Sequence, residues 1–150
     1  MSEEIWKPNV VVAAICERDG KFLLVEEETT EGLRLNQPAG HWEKNETLKQ
    51  AVVREAMEET AHVVEPTGLL GAYTTYNPAR DITYLRFAFV CRVTDFEPNY
   101  QLDTGIVRAV WMTPEEVEKS PIRHRSVLVM RCINDYLSGR RFPLDFVTHS

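Results

Sequence analysis

Residues 40–62 read GHWEKNETLKQAVVREAMEETAH, and the rest of the chain is understood outward from them. Thr47 and Gln50 stand three apart, just where Leu48, Ala51 and Val52 begin a helical spacing. That is a capping box, and it predicts a helix running to about Thr60. At about 100° per residue, Leu48, Ala51, Val52, Glu55, Glu58 and Glu59 share one side. The stripe starts apolar and ends in three carboxylates. Val53, Ala56 and Met57 form a second apolar stripe, so both sides of this helix expect cover. Three anions within one turn repel one another, and Glu58 and Glu59 stand near the helix C-terminus, where the macrodipole disfavours negative charge. A hard divalent cation such as Mg²⁺ would remove the conflict, because it takes carboxylate oxygens and substrate phosphates together. The alternative is a solvated acidic face with Arg54 and Glu58 as an i,i+4 ion pair.

On the N-terminal side, residues 9–16 (NVVVAAIC) and 21–27 (KFLLVEE) flank Asp19-Gly20 and predict two strands joined by a tight turn. Residues 28–34 are polar and predict a loop, and residues 36–40 (NQPAG) a turn. On the C-terminal side, Pro66 and Gly68 are expected to close the helical region. Residues 69–76, 83–93 and 109–112 predict strands, with 77–81 linking the first two. Thr113, Pro114 and Glu116 announce a short helix, and a last helix over about 126–137 is expected to end at Gly139.

With 150 residues, 43% of them hydrophobic and 27% charged, the chain is expected to form a single globular domain spanning 1–150. A net charge of −6 excludes electrostatic capture of a long nucleic acid. No apolar run approaches the roughly 18 residues that would cross a bilayer, and Met-Ser-Glu-Glu lacks the basic start of a signal peptide. A cytoplasmic protein without membrane partners is expected. Cys16, Cys91 and Cys132 lack C-x-x-C spacing and sit among apolar neighbours, which predicts buried thiols.

The opening segment resembles the Nudix box, G-x5-E-x7-R-E-U-x-E-E-x-G-U, where U is aliphatic. Gly40, Glu46, Arg54, Glu55, Ala56, Glu58 and Glu59 fall in register, whereas Ala61 replaces the second glycine and His62 the final aliphatic residue. NQPAGHWE, YLRFAF and YLSGRRFPL extend the likeness over nearly the whole chain, towards the NudJ-type phosphatase branch of the family. The resemblance implies an α/β fold, an α/β/α sandwich around a mixed β-sheet with the box as loop–helix–loop. It also implies Mg²⁺-dependent hydrolysis, with Mn²⁺ as a substitute, of nucleoside tri- and diphosphates and thiamine-related pyrophosphates. The expected state is monomer or homodimer.

In this reading Glu55, Glu58 and Glu59 are metal ligands, joined by the backbone carbonyl of Gly40 or its neighbour Ala39. Arg54 pairs with Glu46 or Glu55 to fix the carboxylates, or is a surface helix charge. The general base is Glu55 or the loop acid Asp103, whose other reading is a turn aspartate. Arg86 points into a cleft as a phosphate ligand or lies on an exposed sheet face. His41 is a candidate substrate contact, and Tyr76, with Trp6, Trp42 and Tyr73, a candidate for stacking on a ring. Two other functions compete: a nucleoside-diphosphate-sugar hydrolase of the ADP-ribose type, suggested by Pro78, and a catalytically silent binding module, which would be expected to lack a box carboxylate.

Overall fold

The computed structural model describes residues 3–150, so the first two residues of the Met-Ser-Glu-Glu start lie outside it. Strands β1 (Asn9–Arg18) and β2 (Lys21–Thr29) turn through Asp19 and Gly20, both left-handed at φ 54° and 80°. This is the mirror-image turn that suits the twist of paired strands. The two strands pair only at Glu17 with Phe22 and at Arg18 with Lys21, and then diverge. On one side β1 runs parallel to β6 (Ile82–Phe96), whose outer neighbour is β5 (His62–Asn77), and antiparallel to the short β4 (Ala39–His41). On the other side β2 lies between β3 (Gly32–Asn36) and β7 (Ile106–Met112), and β3 carries the two-residue β8 (Arg123–His124). The result is one curled, mixed sheet of eight strands.

Helix α1 (Leu48–Thr60) covers one face, burying Val12, Ala14, Cys16, Leu23 and Phe89 with its own Ala51, Val52 and Ala56. Short α2 (Pro114–Glu118) and α3 (Leu128–Leu137) cover the other over Ile15, Phe22, Leu24, Leu70 and Ala88. Cover on both faces explains the unbroken apolar runs in β1 and β2, since neither side of these strands meets water. The expected sandwich is therefore the fold. All three cysteines are buried free thiols. Among the described residues no helix is long and apolar enough to cross a membrane.

Three local expectations are corrected. Residues 28–34 are not a loop: β2 continues to Thr29 and β3 begins at Gly32, leaving two residues to turn, with Thr29 Oγ1 donating to the Gly32 carbonyl. Residues 36–40 do not end in a turn, since Ala39–His41 pairs with Val11, Val12 and Ala13. Pro66 and Gly68 close nothing, because β5 runs through them as the outer strand of its half of the sheet. The pairing slips between Pro66 and Gly68, and an outer strand with a bulge is where proline is tolerated.

Candidate active site

The Thr47–Gln50 capping box forms as expected, and it starts α1 so that Ala51, Val52, Glu55, Ala56, Glu59 and Thr60 turn inward. Glu55 and Glu59 are each 8% exposed, whereas Glu58 sits off this stripe at the rim. Glu59 Oε1 accepts from the Ala39 N–H at 2.9 Å, which ties the helix to β4. One residue on, a Cβ built on Gly40 would overlap the Glu55 carboxylate. Only glycine allows the strand and the helix this approach.

Arg54 resolves its own alternatives by serving every acid within reach. Its Nη1 donates to Glu55 Oε1 at 2.8 Å and Glu58 Oε1 at 2.6 Å, while Nε and Nη2 grip Glu46 at 3.0 and 2.7 Å. Nη2 also donates to the His41 carbonyl at 3.0 Å. These bonds hold the guanidinium charged, the Glu46 pair contributing most. The loop before β7 is latched to the helix end, the Asp103 N–H donating to the Glu58 carbonyl at 2.9 Å.

Burial and mutual repulsion dominate the electrostatics of the acids. Burial raises Glu55, and Arg54 only partly opposes it. Burial pushes Glu59 up to about 9, against the Ala39 N–H, and Glu55, Glu27 and Asp103 push in the same direction. Asp103 is raised by partial burial and by Glu58. Among the described residues no three of these side chains converge as a bound ion requires. Arg54 draws Glu55 and Glu58 to itself, and Glu59 is turned to Ala39. The donor set nevertheless suits a hard divalent cation: carboxylate side chains only, Glu55 and Glu59 of them buried, beside the glycine of β4.

Of the other candidates, His41 ends β4 beside this cluster, exposed, with Nε2 at 3.3 Å from Asn9 Nδ2. Arg86 is buried, bonded to Asn36 and Gln37 on the face covered by α3. Tyr76 is not brought to the carboxylates; it stands on β5, three strands from β4, and its hydroxyl donates to Asp81 at 2.8 Å. Trp6 is exposed, Trp42 donates its indole N–H to the Glu46 carbonyl, and Tyr73 is buried against Asp135. Three contributors escape the sequence reading. Glu27, paired with Arg125 at 3.2 Å, faces Glu59 from β2. Asn36 and Gln37, inside the quoted NQPAG, hold Arg86. Only the curl of the sheet assembles these contacts, so no spacing signals them.

The family model described as NUDIX domain matches residues 6–131, and the chain belongs to that family, as an enzyme acting on phosphoanhydride bonds. It is 36% identical over 143 residues to Phosphatase NudJ of Shigella boydii serotype 4 (strain Sb227), covering 95% of this chain and 92% of that one. The structure of a NUDIX hydrolase from Nitrosomonas europaea matches at TM-score 0.92 and 48% identity, covering 96% of this chain and 98% of the other. At 17% identity and TM-score 0.67, the NUDIX domain of Shewanella oneidensis NrtR complexed with ADP ribose shares the fold over 89% of this chain and 90% of that one.

Proposed function

We propose that this protein is a Mg²⁺-dependent hydrolase of small-molecule diphosphates, acting on nucleoside tri- and diphosphates and thiamine-related pyrophosphates. The observation that carries the reading is the packing of two buried carboxylates, Glu55 and Glu59, against a strand that must be glycine at position 40. Glu55, Glu58, Glu59 and the Gly40 carbonyl would hold the ion, with Mn²⁺ as a substitute. When bound, Mg²⁺ supplies the positive charge that a diphosphate and its leaving phosphate require. Arg54 orients Glu55 and Glu58, and Glu55 takes the proton of the attacking water, with Asp103 as the competing base. His41 contacts substrate at the rim.

The likeness to Phosphatase NudJ supports the phosphatase reading. Pro78, the feature suggesting a nucleotide-sugar hydrolase, lies in the tight β5–β6 turn where Asn77 Oδ1 accepts from the N–H groups of Ala79 and Arg80, and local geometry accounts for it. A silent binding module is disfavoured because every box carboxylate is present. The proposed setting is a cytoplasmic monomer or homodimer with small-molecule partners.

A phosphate-release screen with Mg²⁺ over nucleotides, nucleotide sugars, dinucleotides and thiamine pyrophosphates tests the proposal. Inorganic phosphate is expected from nucleoside triphosphates and then from diphosphates. Cleavage confined to nucleotide sugars would transfer the assignment to that class, and no cleavage of any compound would leave the binding module.

A further inference from the structure

Three arginines crowd one carboxylate at the rim of the acid cluster. Glu27 of β2 has Arg34 of β3 as its register partner on one side and Ile106 of β7 on the other, and Arg34 in turn is paired with Arg123 of β8. Arg125, two residues further along, donates from Nη1 to Glu27 Oε1 at 3.2 Å. Side chains alternate along a strand, and the intervening ones point away: Leu35 joins the core under α3, and His124 Nε2 lies 2.8 Å from the Val117 carbonyl of α2. Arg34, Arg123 and Arg125 therefore stand on the same side of the sheet as Glu27.

The charges at this rim do not balance. Glu27 gives its carboxylate to Arg125, while among the described residues Arg34 and Arg123 take part in no ion pair. Arg34 Nη1 donates instead to the carbonyl of its neighbour Leu33 at 2.9 Å. Like charges directly opposite on paired strands repel, so this local surplus of cations is unfavourable in a chain of net charge −6 unless an anion bridges it. Arg123 is exposed and Arg34 and Arg125 are half-buried, which leaves the group open to such a ligand.

The same strands tie the arginines to the chemistry. Ile106 donates its N–H to the Asp103 carbonyl, and the Asp103 N–H donates to the Glu58 carbonyl, so Glu27 is linked through β7 to the end of α1 and faces Glu59. The backbone of Arg34 lies one strand spacing from that of Glu27 and the backbone of Arg123 two, about 5 and 10 Å. A diphosphate whose inner phosphate meets the cation at Glu55, Glu58 and Glu59 can extend its outer phosphate past Glu27 to these side chains. A free terminal phosphate carries nearly two negative charges and three acceptor oxygens, which guanidinium forks bind in pairs; a phosphate capped by a second ester keeps less of both.

We propose that Arg34, Arg123 and Arg125 hold the free terminal phosphate of the substrate, so that the enzyme favours diphosphates ending in a phosphate monoester over those capped at both ends. The proposal rests on the hydrolase reading above and assigns that site its preference. It is tested by kcat/KM with Mg²⁺ for ADP and ADP-ribose, which differ only in the cap on the outer phosphate, in the wild type, Arg34→Gln and Arg123→Gln. The wild type should prefer ADP by at least about tenfold, and each variant should lose most of that preference through a raised KM for ADP. Arg123→Gln also relieves the repulsion across β3 and β8, so its Tm should equal or exceed that of the wild type even if the half-buried Arg34→Gln folds poorly. A preference retained in Arg123→Gln, or a lowered Tm there, would overturn the inference. Wild-type turnover of both compounds without preference would overturn it alone, and turnover of neither would take the nucleotide reading with it.

Discussion

Ala61 and His62, the two residues that depart from the box, have different physical outcomes. Ala61 ends α1 in the left-handed region at φ 58°, ψ 19°, its N–H donating to the Met57 carbonyl. An alanine is strained there, and Ala61→Gly should raise stability by roughly 0.5–1 kcal/mol after the added chain entropy of glycine, measured by denaturant unfolding. His62 acts as a flat core residue, its ring 4.7 Å from Phe96 and 5.7 Å from Trp111, with Nδ1 at 2.6 Å from the Thr60 carbonyl. Burial lowers its pKa from the ordinary 6.5, opposed by the Thr60 carbonyl and assisted by Arg18. The unfolded chain therefore binds the proton first. Stability is complete above about pH 6.5 and is lost as pH falls from there towards the folded value. Unfolding curves between pH 7 and 5 should flatten in His62→Phe, and an unchanged slope would remove His62 from the pH response.

Among the elements, α1 was the most legible, because a capping box and an interrupted apolar stripe are local signals; the box forms, and the buried stripe takes in Ala56 but not Glu58, while Val53 and Met57 of the second stripe are only half-buried. Strands β3 and β4 were hidden: five and three residues long, they carry too little alternation to stand out, and the partner of β4, β1, lies far off in sequence. The start of β5 was hidden by Pro66, which reads as a breaker unless the strand is known to be an outer one. The loop before β7 is where the base is decided, since its latch to the Glu58 carbonyl brings Asp103 to the carboxylates without fixing which acid takes the proton. Glu55→Gln should lower kcat by about 10²–10⁴ at saturating Mg²⁺ while Asp103→Asn stays near wild type. The reverse ranking would move the base to the loop. Recovery of Glu55→Gln by raised Mg²⁺ would leave it a ligand only, because a weakened site refills by mass action.

At the scale of the whole molecule, the curled sheet gathers five acids from distant elements: Glu55, Glu58 and Glu59 of α1, Glu27 of β2 and Asp103 of the loop. The box predicted three of them, and the loop before Trp111 offered Asp103 as the alternative base; Glu27 comes from β2, whose pairing with β1 ends after two residue pairs. Arg54 and Arg125 are the paired cations at this cluster, and burial leaves Glu59 short of charge compensation. The central claim is that a divalent cation completes the site. Phosphate release from a nucleoside triphosphate, followed after exhaustive chelation and then as Mg²⁺ is restored, tests it most directly. Activity should vanish in the chelated enzyme and return saturably with Mg²⁺ or Mn²⁺, whereas full turnover in metal-free buffer would contradict the claim.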